Sequence, residues 1–272
     1  MSTIPQALIR AAETFGDAEA VVDGEVRLSW SQLHDEVRTA ARFYLAEGVH
    51  PGDRVAIWAP NTWHWVVAAL GVHYAGATLV PINTRYTGHE ALDLLQRTRA
   101  VALVVVGPFL GADRLQQLRA AGPTPHLQTV VQISLDGSPV ADGAIGWADI
   151  PARADVSADA SAAAVRPDDV SDILFTSGTT GRSKGVQSAH RQVLAVARAW
   201  AECGDVGPAD RYLVINPFFH SFGYKAGIVA CLLTGATMVP QAVYDVDQAM
   251  RLVAAERISV LPGAPTIFQT IL

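Results

Sequence analysis

The segment from Val101 to Val106 reads Val-Ala-Leu-Val-Val-Val, six apolar residues with no polar break. A strand with one wet face would alternate apolar and polar positions. An unbroken run instead fits a strand buried on both faces, the signature of a parallel sheet covered by helices above and below. The surrounding sequence keeps that rhythm, with strands expected over 54–58 and 79–82 and helices over 61–74 and 90–98. Upstream, a helix is expected over 4–14, a hairpin at Asp23-Gly24 and a helix capped by Ser31 that stops at Gly48. Downstream, helices are expected over 192–203, 225–233 and 246–257, and strands over 212–216, 237–240 and 260–261. The implied class is α/β, with layered subdomains of mostly parallel sheets flanked by helices. Residues 151–169, rich in alanine and aspartate and bounded by Pro151 and Pro167, read as a linker or surface helix. They divide the chain into 1–160 and 161–272.

Half of the 272 residues are apolar, enough for a substantial core. A net charge of −6 with no basic run argues against nucleic acid or an anionic membrane as partner. The uncharged stretch 226–244 is divided by Gly235 and Pro240, so no membrane span is expected. Arg10 and Glu13 interrupt the first helix, unlike a secretion signal. Cys203 and Cys231 lack metal-ligand spacing and read as reduced thiols of a cytoplasmic protein.

The chemistry is concentrated between Ile173 and Val186, Ile-Leu-Phe-Thr-Ser-Gly-Thr-Thr-Gly-Arg-Ser-Lys-Gly-Val. Three apolar residues open it like a short strand, and a loop of hydroxyls and glycines closes on a lysine. Gly178, Gly181 and Gly185 let backbone N–H groups turn toward an anion, Thr176, Ser177, Thr179 and Thr180 add donors, and Lys184 supplies a compact positive charge. A Walker loop needs glycine before its lysine and serine or threonine after it. Here Ser183 precedes Lys184 and Gly185 follows, so that reading fails on both sides.

A second constellation spans residues 216–227, Asn-Pro-Phe-Phe-His-Ser-Phe-Gly-Tyr-Lys-Ala-Gly, at the end of an expected strand. Its charged member, Lys225, is one of only two lysines, against 18 arginines. It reads either as a solvated surface lysine or as a partner for an oxygen on a polar substrate. The two tryptophans in residues 61–65 read as packing on the sheet, and the histidines other than His220 as core residues.

Both constellations resemble motifs of the adenylate-forming superfamily, which includes acyl-CoA synthetases, peptide-synthetase adenylation domains and luciferases. Every position of the phosphate-loop signature is filled, with Ser183 where proline is commoner. The resemblance implies the incomplete N-terminal domain of the adenylate-forming fold, and an enzyme that adenylates a small-molecule carboxylate with ATP and Mg2+ before transfer to CoA. It places nucleotide binding on Thr176, Ser177, Gly178, Thr179, Thr180, Gly181 and Lys184, and the acyl pocket on His220, Phe222, Gly223, Lys225 and Gly263. It implies a bracing role for Arg85, and no protein metal ligand or catalytic residue in this stretch. The family's aromatic-Gly-x-Thr-Glu motif, ribose-binding aspartate, hinge and C-terminal lysine are absent, and the last apolar helix pattern reads as cut. The chain alone is therefore expected not to catalyse adenylation, and its truncated edge to favour self-association. Within the family the wording is similar to acyl-CoA synthetases of steroid-ring degradation, which act on a bicyclic indanedione propanoate. Two alternatives stay open, a plain fatty acid as substrate and a non-catalytic ATP-binding or structural half that needs a partner chain.

Overall fold

The computed structural model describes residues 2–154, 156–176 and 183–271. The strands are β1 (Glu19–Asp23), β2 (Val26–Ser29), β3 (Arg54–Trp58), β4 (Thr78–Pro81), β5 (Ala102–Val106), β6 (Thr129–Ile133), β7 (Ile145–Gly146), β8 (Val170–Thr176), β9 (Lys184–Ala189), β10 (Arg211–Val214) and β11 (Thr237–Pro240). Among the described residues they form two sheets, ordered β7-β6-β5-β3-β4-β8-β9 and β10-β11-β1-β2. Pairing is parallel except for β2 and β9, each antiparallel to its neighbour.

Side-chain alternation along the central strands explains the layering. Val55, Ile57, Leu79, Ala102, Val104 and Val106 join one apolar cluster, and Ala56, Trp58, Val80, Ile82, Leu103 and Val105 join another on the opposite face. The second face is covered by the helices Gly88–Thr98 and Arg114–Ala121. The first face meets the helices Ile4–Phe15, Trp30–Ala46 and Trp63–Tyr74, whose cluster continues into Val21, Tyr212, Val214 and Met238 of the smaller sheet. The helix Trp63–Tyr74, which touches β1 as well as β3 and β4, therefore lies between the two sheets. The helix Trp63–Tyr74 is buried from Trp65 to Tyr74, as a helix apolar on all sides must be. The outer face of the smaller sheet packs Leu213, Ile215 and Val239 against Ala249 of the helix Val246–Ala255. The result is helix, sheet, helix, sheet, helix.

Sheet membership does not follow the division at 160. The N-terminal hairpin β1-β2 joins β11, while β8 and β9 extend the sheet built from β3 to β7. The expected strand at 260–261 is a single bridge, Tyr212 to Val260. The expected helix over 225–233 is instead a π-helical turn, Tyr224–Val229, followed by the α-helix Ala230–Thr234. The long helix near the N-terminus is capped by Ser29 rather than Ser31, in a reciprocal box with Gln32. Residues 151–169 hold a 3-10 turn, Pro151–Arg153, and a short helix, Asp159–Ala164. Among the described residues no helix is long and apolar enough to cross a membrane.

Candidate active site

The parallel strands β4 and β8 end beside each other, and a cleft of about 510 Å³ opens at their carboxyl ends. Crevices of this kind are where open α/β sheets place ligands. Tyr86, Leu94, Phe175 and Val186 give it apolar walls. Asn83, Thr176, Ser188, His220, Ser221 and Lys225 supply its polar groups.

Thr176 ends β8 and Lys184 begins β9, and the two are register partners. Both side chains are exposed. The connecting positions, including Ser177, Gly178, Thr179, Thr180 and Gly181, lie outside the described residues. Ser183, the first described residue after them, accepts through its carbonyl from Arg97 at 2.9 Å, and Arg97 lies over the Phe175 ring at 5.1 Å. Arg97 also pairs with Asp93 at 2.9 Å, so its sequence signal was that of an ordinary i,i+4 surface pair.

His220 stands on the turn that follows β10, exposed, with its Nδ1 accepting from the Phe222 N–H at 3.3 Å. Two glycines press the following helical segment onto the strand end. A Cβ on Gly223 would lie 2.2 Å from the Pro217 carbonyl oxygen, and one on Gly227 would lie 2.9 Å from a Val214 methyl. Gly223 is thus a packing position outside the cleft lining. Phe222 packs edge-on against Trp200 with ring centroids 5.0 Å apart, and Gly263 lies against Ile267. Neither belongs to the lining. The cleft therefore gathers Thr176, His220 and Lys225 and leaves out Phe222, Gly223 and Gly263.

Lys225 is no solvated surface lysine. Its ammonium lies 3.2 Å from Asp172 Oδ1 and donates to Ser188 Oγ at 2.7 Å. Burial pushes the Asp172 carboxyl up from its ordinary value, and the neighbouring Lys225 charge pulls against that shift.

The most informative residue missed in the sequence is Asn61. It sits beside the tryptophans whose bulk dominates that stretch, and nothing local marks it. In the fold it is buried between the two sheets, with Nδ2 donating to the Val214 and Asn216 carbonyls at 3.2 and 2.8 Å. Its Oδ1 accepts from the Phe218 N–H at 2.8 Å. One amide thus fixes both sides of the bend that delivers His220. Asn61→Ala leaves the Phe218 donor without its partner and should cost about 2 kcal/mol, read as a lower urea midpoint at unchanged slope.

Residues 8–272 match the family of AMP-binding enzymes. Over its full length the chain is 60% identical to a methyl-dioxo-octahydro-indenyl-propanoyl:CoA ligase of Rhodococcus jostii, of which it covers 54%. It is 51% identical to the ligase of the same name from Mycobacterium tuberculosis and covers 53% of that protein. The chain thus spans about half the length of the curated relatives it matches. Among solved structures, the inhibitor-bound N-terminal domain of FACL13 from Mycobacterium tuberculosis superposes with a TM-score of 0.86 at 27% identity, over all of this chain and 65% of that one.

Proposed function

Because the chain belongs to the AMP-binding enzyme family, we propose that it is the N-terminal, nucleotide- and acyl-holding part of an acyl-CoA ligase. The reaction joins a carboxylate to the α-phosphorus of ATP, releases pyrophosphate and then passes the acyl group to the thiol of CoA. The observation that carries this reading is the pairing of Thr176 with Lys184 at the edge of the cleft that also contains His220 and Lys225.

In-line displacement at phosphorus depends on positioning and on neutralising charge as it develops. The stretch from Thr176 to Lys184 would hold the departing β- and γ-phosphates, with Ser177, Gly178, Thr179, Thr180 and Gly181 supplying donors. Lys184 is suited to that work because its ammonium is exposed beside the strand end. Among the described residues no group of three or more His, Cys, Asp or Glu side chains is placed to hold a metal ion. Mg2+ would accompany the phosphates of ATP and offset their charge, as the resemblance to the family implies. His220 would lie along the acyl-adenylate. The names of the two similar ligases specify a fused bicyclic dione with a propanoyl arm, and the same substrate class is proposed here. Dependence on ATP and CoA fits a cytoplasmic setting.

Calorimetric titration with MgATP tests the nucleotide site. Lys184→Met should weaken binding at least tenfold, the loss of one charge-assisted hydrogen bond. Pyrophosphate exchange should be absent with this chain alone and appear when the remaining half of a ligase is supplied. A wild-type chain that does not bind MgATP, or a Lys184→Met chain that binds it equally well, would overturn the reading.

A further inference from the structure

Three elements close on the Lys225 ammonium. Asp172 belongs to β8 and is fully buried, Ser188 belongs to β9, and Lys225 lies in the π-helical turn Tyr224–Val229. Ser171 completes the arrangement, its Oγ lying 2.8 Å from Asp172 Oδ2 and 2.9 Å from the Ser188 carbonyl, with one proton to share between them. The Lys225 side chain keeps 12% of its surface exposed and lines the cleft, whereas Asp172 exposes none and stands behind it. A ligand therefore meets the ammonium and not the carboxylate.

An ammonium carries three N–H donors. Ser188 takes one and Asp172 faces a second, which leaves the third for an occupant of the cleft. Stability alone does not account for the pair, since apolar replacements of a buried ion pair are often neutral or stabilising. What the pair does provide is a cation held at a fixed point of a lining whose other members are apolar side chains, hydroxyls, the Asn83 amide and the His220 ring. The local turn supports this use, because π-helical turns widen a helix by one residue and recur at functional sites.

We propose that Lys225, positioned by Asp172 and Ser188, is a specificity determinant that donates a hydrogen bond to a neutral acceptor oxygen, a ketone carbonyl, on the acyl part of the acid. This rests on the proposed ligase reading and deepens it. Asp172 already balances the ammonium, so a second anion gains little net attraction there, whereas a carbonyl needs only the remaining N–H. Lys184, exposed at the strand end, is left to the phosphates.

The test compares two acids, oxocyclohexyl-propanoate and its deoxo analogue cyclohexyl-propanoate, titrated into the chain in the presence of MgATP and followed by NMR. The wild-type chain should prefer the keto acid about tenfold or more, the discrimination expected of one charged donor. Lys225→Met should abolish that preference while leaving deoxo-acid and MgATP affinities within about twofold. Because Lys225→Met leaves Asp172 buried without a partner, the double variant Asp172→Asn/Lys225→Met keeps the test available if the single variant does not fold, and it should also lose the preference. Equal wild-type affinity for the two acids, or a preference that survives either folded variant, overturns the proposal. So does a loss of MgATP affinity in Lys225→Met, which would assign the ammonium to the nucleotide. Failure of the wild-type chain to bind MgATP, by contrast, refutes the ligase reading itself.

Discussion

Gly223→Ala should lower stability by about 3 kcal/mol, the upper end of overpacking costs, and shift the NMR signals of the His220 ring. The new Cβ would lie 2.2 Å from the Pro217 carbonyl oxygen and 2.4 Å from that of Asn216. Both are backbone atoms, and Asn61 and the Asn216–Pro262 hydrogen bond hold that backbone in place. No side-chain rotation relieves the clash, so the turn carrying His220 must move. Two other glycines separate this effect from general damage. Gly88→Ala would set its Cβ 2.2 Å from the Gln117 carbonyl, a clash of the same size away from the β10 turn. It should cost as much stability and leave the His220 signals in place. At Gly207 the nearest atom is Asp210 Oδ2 at 3.9 Å, so alanine there should change stability by no more than about 0.5 kcal/mol. Urea midpoints and histidine ring spectra of the three variants check all of this. Gly223→Ala with wild-type stability and an unmoved His220 would remove the packing argument for that turn.

What the sequence could reveal was decided by how local each cause is. The unbroken apolar run of β5 carries its own double burial, and all five of its residues are buried. The helix Gly88–Thr98 carries its own start signal, with Thr87 and Glu90 capping each other. The same Ser-x-x-Gln spacing was present at Ser29 and Gln32, and it outranks the lone hydroxyl of Ser31 because two donors are satisfied instead of one. Strand β9 had no such signal. Lys-Gly-Val-Gln-Ser-Ala does not alternate in polarity, it is largely exposed, and it is extended because β8 offers it a ladder. The helix Arg114–Ala121 has only two turns and a weakly apolar face, and its stability comes from docking Leu115 and Leu118 under the large sheet. The site divides in the same way. The clustering of donors and glycines around Lys184 is a local property. The partners of Lys225 and of Asn61 are brought to them by sheet topology, which no pattern within either segment records.

Lowering the pH from 7 to about 5 should destabilise the fold by about 4 kcal/mol through His64 and His190 alone, each held by burial at about 4 against an ordinary 6.5. The direction follows from linkage. A histidine whose folded pKa is depressed binds fewer protons folded than unfolded between those two values. Its contribution is complete above pH 6.5 and is lost as pH falls toward 4. His73 adds to the loss. It is fully buried, bonded through Nε2 to the Tyr224 hydroxyl at 2.6 Å, and faces the His190 ring at 5.4 Å, so burial and that neighbour both hold it well below 6.5. His50, His89 and His126, which the sequence reading assigned to the core, are exposed instead. Asp23, Glu36 and Asp172 act in the opposite sense. Burial raises each of them, so each gains stability as pH falls through its raised value and offsets part of the histidine loss. Glu19 and Asp159, held down by Arg211 and Arg38, give up their contributions only at still lower pH. Urea midpoints measured between pH 7 and pH 5 should therefore fall, and His190→Gln should flatten the slope by one group's share while Lys225→Met leaves the histidine part intact. Because His73 bonds to the residue preceding Lys225, the same acid step should also disturb the π-helical turn. A midpoint independent of pH across that interval, with a slope that His190→Gln does not change, would show that these imidazoles reach solvent and that the middle helix layer is less tightly closed than described.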